Sequence, residues 1–382
     1  MFGYRRIPCA IWRGGTSKGA MLQEADLPAN DKDRDQALLA IMGSPDPRQL
    51  TGLGGATPTT SKVAIISRSH RLDADLDYRF AQVAIKEARV DYRPTCGNLA
   101  AAVGPFAVEA GIIPATATTA QVRIFNINSG RLIESEFPLR DGQYQPDGET
   151  AIAGVPGTGS RVRLRFFRPD GGVTGQLFPT GHRVDHITLP DQRHFDVTVI
   201  DAGNLSVIVD GEQLDNGWDE AWFTGQGEFP LKSTLEQLRQ SIGRTLNLFS
   251  PSDIVSAATH ALPKITVIHS PYSYHARTAQ IVHRHEISLC ARALTMGDPH
   301  PAYPITGAIA LAACAKIPGT VAYPKVRLGT IDETALEIGH PSGIMSVKAD
   351  VSLQDNQWRV NWVALTRTAR ALIEGWTFLP QA

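Results

Sequence analysis

Thr95-Cys96-Gly97-Asn98 sets a thiol directly ahead of a run of small residues, Leu99-Ala100-Ala101-Ala102-Val103-Gly104. The run predicts a helix, and the first amides of a helix have no internal partners and carry the positive end of its dipole. Such an end favours a thiolate and holds a carboxylate. The competing reading is a small buried hydrophobe, the usual fate of a lone cysteine. Lys62 is the second residue able to move a proton. It stands at the mouth of the apolar stretch Val63-Ala64-Ile65-Ile66, after Thr59-Thr60-Ser61. A lysine drawn into a low-dielectric cleft loses part of its preference for the ammonium form and becomes a base. The competing reading is a solvated lysine at a strand end.

Other chemistries are poorly supported. Arg13-Gly14-Gly15-Thr16-Ser17-Lys18-Gly19 lacks the GxxxxGK[ST] spacing of a phosphate loop, though its amides, hydroxyls and cation suit a carboxylate. Gly52-Leu53-Gly54-Gly55-Ala56 does not match GxGxxG and does not open a helix. His283-Arg284-His285-Glu286 places two imidazoles on one face of a strand, but no third ligand is evident, and an exposed strand or turn is the better reading. There is no HExxH and no GxSxG. Met296-Gly297-Asp298-Pro299-His300 and His340-Pro341-Ser342-Gly343 read as turns, each able to carry a polar group into a cleft.

The elements that must position these residues are mostly strands. Period-two alternation marks 77–83, 122–125, 162–166, 196–200 and 347–351. The 34 Gly and 25 Pro between them predict short strands and frequent turns. Helices are predicted over 31–42, 98–110, 234–247 and 306–315. Two of these echo each other: Cys96 to Ala102 and Ile305-Thr306-Gly307-Ala308-Ile309-Ala310 each follow a Gly-containing entry and are apolar all round, as in a buried helix. The simplest architecture is α+β, with two similar β-rich domains each wrapped round one small-residue helix, both helix starts facing one cleft. Two unrelated buried helices are the alternative. Phe178 to Asp185 reads as the connection, giving domains 1–182 and 183–366, with 367–382 packing back on the first.

Composition excludes several classes. Thirty-seven basic against 38 acidic side chains leave a net charge of −1, with no basic excess for a nucleic acid. No apolar run reaches the length of a membrane span and no signal-peptide core opens the chain. Four cysteines without a CxxC (Cys9, Cys96, Cys290, Cys314) predict a reducing cytoplasm and no structural zinc.

Taken in order, Arg13 to Gly19, Gly43-Ser44-Pro45-Asp46, Gly52 to Ala56, Thr60-Ser61-Lys62, Cys96-Gly97-Asn98, Asp201-Ala202-Gly203-Asn204, Pro263-Lys264, Met296 to His300, Ile317-Pro318-Gly319-Thr320, His340 to Gly343 and Arg367-Thr368-Ala369-Arg370 resemble the signatures of the PrpF family of methylaconitate and oxalomesaconate isomerases. The likeness runs from about Ile7 to Pro380. It implies a diaminopimelate-epimerase-like fold of two pseudo-symmetric domains and an isomerase without cofactor or metal. The family's proton-transfer pair of lysine and cysteine falls on Lys62 and Cys96. The second cysteine that precedes the second helix in the epimerases has no counterpart in Tyr303-Pro304-Ile305-Thr306, which argues against a two-thiol amino-acid epimerase.

The expected reaction is a 1,3-allylic proton shift, or the related keto–enol tautomerisation, of a small unsaturated di- or tricarboxylate. Lys62 is the principal acid/base and Cys96 its partner. The amides of Gly97, Asn98, Thr306 and Gly307 are the expected oxyanion and carboxylate donors, supplemented by Ser17, Lys18, Ser61, His300 and Ser342. The substrate expected first is 4-oxalomesaconate, from aromatic-acid breakdown, because Glu87 to Tyr92 is similar to that branch; Ala293 to His300 is similar to the methylaconitate branch, so 2-methylaconitate or aconitate is the alternative. A non-catalytic accessory that binds tricarboxylates for an aconitase-like enzyme is the alternative of another class. The expected partner is thus a small unsaturated polycarboxylate, with no nucleic acid and no membrane; a homodimer is an admissible assembly.

Overall fold

A computed structural model describes residues 4–115, 117–214, 231–249, 253, 255, 261–327 and 335–380. The described strands are β1 Tyr4–Gly14, β2 Ser17–Gln23, β3 Lys62–Arg68, β4 Leu76–Val83, β5 Val90–Asp91, β6 Thr119–Asn126, β7 Arg131–Arg140, β8 Gln143–Tyr144, β9 Val162–Phe167, β10 Asp185–Thr188, β11 His194–Ala202, β12 Asn204–Asp210, β13 Lys264–His269, β14 Tyr274–His275, β15 Ile281–Val282, β16 Leu289–Thr295, β17 Asp298–Pro299, β18 Leu336–His340, β19 Gly343–Gln354, β20 Gln357–Arg367 and β21 Ala369–Pro380. Four α-helices are described: α1 Asp31–Met42, α2 Gly97–Glu109, α3 Lys232–Thr245 and α4 Ile305–Cys314. Each overlaps a predicted helix, its ends shifted by no more than two residues.

The chain divides into two compact units, Met1–Arg165 with Thr366–Ala382, and Phe166–Leu365. The expected change at 182/183 is therefore displaced. The turn signals of Phe178 to Asp185 are local, whereas 166–182 is bound to β11: the Gly203 amide donates to Pro169 O, the Gly171 amide to Asp201 O, and the Asp201 amide to Leu177 O. The Asp201 carboxylate also accepts from the amides of Val173 and Thr174. The last segment does return to the first unit, because β21 pairs antiparallel along the whole of β1.

The two units repeat one topology. In the first, hairpin β1–β2 is followed by β3 parallel to β2, β4 antiparallel to β3, β5 antiparallel and β6 parallel to β4, and β7 antiparallel to β6. In the second, β11–β12, β13, β16, β17, β18 and β19 follow the same order and senses. Helices α1 and α3 fall after the second hairpin strand; α2 and α4 fall after the short edge strand. Consequently Lys62 and Lys264 open equivalent strands, each followed by an apolar run, and Cys96 and Pro304 are equivalent N-caps.

Both α2 and α4 are buried along almost their whole length, which their Ala-rich sequences allow. What sets their position is a hairpin pressed on the helix start. A Cβ on Gly14 would lie 2.5 Å from Asn98 O and 3.0 Å from Leu99 Cα. Gly15 turns at φ +50° with no room for a side chain beside Asn98 Oδ1. In the second unit Gly203, at φ +72°, would put a Cβ 3.1 Å from both Thr306 O and Ile309 Cβ. Overpacking such contacts typically costs 1–3 kcal/mol. Gly14→Ala and Gly203→Ala are each expected to lower unfolding free energy by about 2 kcal/mol or more in urea titrations. Gly130→Ala, at φ +66° with open space around it, should cost only about 1 kcal/mol.

Candidate active site

The third signature forms as the sequence suggests. Cys96 has extended backbone and caps α2: its Sγ accepts from the Leu99 amide at 3.4 Å, and its carbonyl accepts from the Ala100 amide. The amides of Gly97 and Asn98 have no acceptor within the helix. The loop before Cys96 is tied down from β4 and the turn after β6: Tyr78 Oη donates to Cys96 O, Asn128 Nδ2 to Tyr92 O, and Asn126 Nδ2 to Thr95 Oγ1. Ser17 Oγ lies 3.9 Å from Cys96 Sγ.

Lys62 reaches the same end of β2. It stands beside Gly19, where a Cβ would come within 2.7 Å of Lys62 O. Its side chain is buried. Nζ donates to Gln82 Oε1 at 2.8 Å and lies 5.0 Å from the centre of the Phe80 ring. Gln82 is held in this orientation by donating through Nε2 to Ser61 O and Pro58 O. The ammonium group thus has an uncharged partner and a ring face, and no ion pair among the described residues involves it.

The second signature builds the approach to Lys62. Buried Gln49 donates to Ser44 Oγ and Ser61 Oγ and accepts from the Ala56 amide. A Cβ on Gly54 would collide with that amide side chain. Ser61 Oγ donates to Val83 O at 2.8 Å, so this hydroxyl is fully used inside the unit. Ser61 thus ties the start of β3 to β4 and to Gln49. Lys18 is also set apart from the pair. It is the register partner of Arg13, and strand alternation puts it on the face of β2 opposite Ser17 and Gly19.

The side chain of Asn98 is engaged within the unit. Its Oδ1 accepts from the Thr16 amide at 3.3 Å and from Arg367 Nε at 3.4 Å, which leaves its backbone amide as the free-facing group. In the second unit, Thr306 and Gly307 occupy the first turn of α4, and Thr306 Oγ1 accepts from Asn204 Nδ2 at 3.0 Å. Pro304 offers no side-chain cap. His300 is buried, with Nδ1 accepting from the Ala302 amide. Ser342 Oγ donates to Pro301 O at 2.5 Å, which ties the loop of His300 to the turn after β18. The His283–Glu286 stretch is a turn closed by the Glu286 carboxylate on the His283 amide; no metal-binding cluster occurs among the described residues. No helix of the described chain is long and apolar enough to cross a membrane.

Gln82, Arg367, Thr16 and Lys264 were not assigned roles from the sequence. Gln82 hides in an apolar strand and is found only through its pairing with Lys62. Lys264 had a visible signal: Lys-Ile-Thr-Val-Ile repeats the pattern of Lys62-Val-Ala-Ile-Ile.

A repeated β-structure around one buried helix per unit, with a capping thiol and a buried amine, belongs to the epimerase-like α+β isomerases. The chain is a member of the PrpF family: the pattern described as PrpF protein matches residues 4–380. Among its relatives are the 4-oxalomesaconate tautomerase of Pseudomonas putida (38% identical; 98% of this chain, 96% of the relative) and the 3-methylitaconate isomerase of Eubacterium barkeri (36%; 99% and 98%). The 2-methyl-aconitate isomerase of Cupriavidus necator is 34% identical (98% and 97%). A solved methylitaconate-delta-isomerase superposes with a TM-score of 0.78 at 35% identity, covering 99% of this chain and 97% of that one. A probable proline racemase shares the fold at TM-score 0.57 and 14% identity, covering 97% and 92%. The chain is an isomerase with the diaminopimelate-epimerase-like fold.

The thiols differ in environment. Burial pushes the Cys9 thiol up to about 12 and raises that of Cys314, at the far end of α4, further still. Neither carries appreciable thiolate at neutral pH; Cys96 differs from both in its place, at the N-cap of α2 beside Ser17. Brief alkylation with iodoacetamide at pH 7.5 is expected to modify Cys96 ahead of Cys9 and Cys314, read by peptide mass spectrometry. Faster labelling of either buried thiol would contradict this ordering.

Proposed function

We propose that the chain catalyses a 1,3-allylic proton shift, or tautomerisation, of a small unsaturated polycarboxylate, with 4-oxalomesaconate the first substrate to test. The observation that carries the reading is the buried Lys62 side chain, its Nζ set against an amide oxygen and a ring, at the same strand end as a cysteine capping an unpaired helix start. The names of the relatives, isomerases and a tautomerase acting on methylitaconate, methylaconitate and oxalomesaconate, support the substrate class.

In this reading Lys62 removes a proton from the carbon allylic to a conjugated C=C. The electron pair moves through the double bond onto a carboxylate or keto oxygen, and a proton returns to the third carbon. Nothing is consumed. Gln82 aims Nζ, and Phe80 shields it. Cys96 acts as the partner acid or shapes the site. The Gly97 and Asn98 amides hold the developing oxyanion, where preorganised dipoles stabilise charge as it forms. Ser17 stands beside the thiol as a substrate contact. Thr306 and Gly307, in the first turn of α4, hold the equivalent place in the second unit. Lys18, on the opposite face of β2, is left out of the reaction. A purely accessory role is not favoured, because the proton-transfer pair is intact.

Incubation in deuterated water with oxalomesaconate, methylaconitate, aconitate and methylitaconate in turn, followed by proton NMR, tests the reading. One of them should show isomerisation together with label at one allylic carbon. Lys62→Ala is expected to lower kcat by about 10²–10⁴-fold with the circular dichroism spectrum unchanged, and Cys96→Ser by about tenfold or more. Wild-type turnover in Lys62→Ala would refute the assignment of the lysine.

A further inference from the structure

Arg367 opens the last family signature, at the end of β20, and belongs to the first unit. Its side chain is only 5% exposed. Nη1 donates to Thr366 O at 2.7 Å and Nε to Asn98 Oδ1 at 3.4 Å, but Nη2 is buried with no acceptor. Thr16 carries a second orphan: its Oγ1 is buried without a partner, while its amide shares Asn98 Oδ1 with Arg367. Two unsatisfied polar atoms therefore flank one amide oxygen at the first turn of α2.

Charge around them is one-sided. Arg13 donates to Gly15 O and Thr368 O, and its register partner across β1–β21 is Arg370. No carboxylate forms an ion pair with Arg13, Arg367 or Arg370 among the described residues. A guanidinium taken out of water without a counter-charge is strongly disfavoured. Burial pushes Arg367 down to about 10, so its charge persists through the neutral range. The fork geometry of a guanidinium suits a carboxylate, and a hydroxyl and helix amides add donors of the same polarity.

We propose that Arg367 and Thr16, at the start of α2, form an anion subsite that takes one carboxylate of a small polycarboxylate. This rests on the reading that the chain binds such acids. In the bound state Nη2 and the Thr16 hydroxyl, both unsatisfied in this structure, donate to the carboxylate.

Calorimetric titration with tricarballylate, a saturated tricarboxylate that cannot isomerise, tests the site. Arg367→Met is expected to weaken binding by about 10–100-fold and Thr16→Val by about fivefold. Arg367→Lys should recover part of the loss, because charge returns without the fork. Folding of each variant is checked by its thermal midpoint. A folded Arg367→Met that binds like wild type overturns the proposal; so does one that loses kcat alone, since Arg367 would then only position Asn98. If Arg367→Met does not fold, Thr16→Val decides, and unchanged affinity there overturns the subsite. Deuterium exchange by the wild-type chain separates the two claims. Exchange with Arg367-independent binding removes the subsite and keeps the isomerase; Arg367-dependent binding without exchange does the reverse.

Discussion

The fit of a side-chain-free hairpin against a helix start is the constraint on which the rest of each unit depends. Gly14 and Gly15 allow β1–β2 to touch Asn98 and Leu99, and Gly203 allows β11–β12 to touch Thr306 and Ile309. Only at such an approach do the unpaired amides of α2 lie beside Ser17, and only then does the register of β2 with β3 bring Lys62 to the same end. A glycine pattern that resembles a phosphate loop is therefore a packing device first. Its chemistry is indirect: it delivers a hydroxyl and fixes a helix.

Polar groups in the first unit divide by whether the fold satisfies them. Gln49, Ser61 and Gln82 are buried and their side-chain bonds are internal, so they shape the path to Lys62 at the modest net gain of neutral hydrogen bonds. Lys62 ends on a single neutral acceptor, and Arg367 and Thr16 keep unsatisfied atoms. Buried donors of this kind are costly unless a ligand completes them. Thr16 and Arg367 meet at the start of α2, where the dipole adds the same sign of potential, while Arg34, Arg79 and Ser135 keep buried unsatisfied atoms elsewhere in the unit.

Much of this is legible in the sequence. Alternating patterns located the strands, and Ala-rich runs located α2 and α4, because both follow from local periodicity. The echo between those helices became a full topological repeat. The domain change was misplaced for a non-local reason: the Asp201 carboxylate binds the amides of Val173 and Thr174, and no turn signal encodes that. Lys18 was grouped with Ser17 by adjacency, although neighbours in a strand face opposite ways. Gln82 gives no local signal, and Arg367 is visible only as part of a motif, because what each does lies in what it touches, 20 and 269 residues away.

The two halves of the repeat differ at one telling position. Cys96 and Pro304 hold equivalent positions, yet one is a thiol that caps its helix and the other offers no side-chain cap. Inverting a stereocentre requires an acid and a base on opposite faces of one carbon. An allylic shift has no such requirement. The proton leaves one carbon and returns to another, and a single group on one face can serve both. The proposed shift therefore asks for no second thiol, and Pro304 is compatible with it. Lys62, with a neutral partner and a flexible four-carbon stem, is suited to reach both carbons from one side.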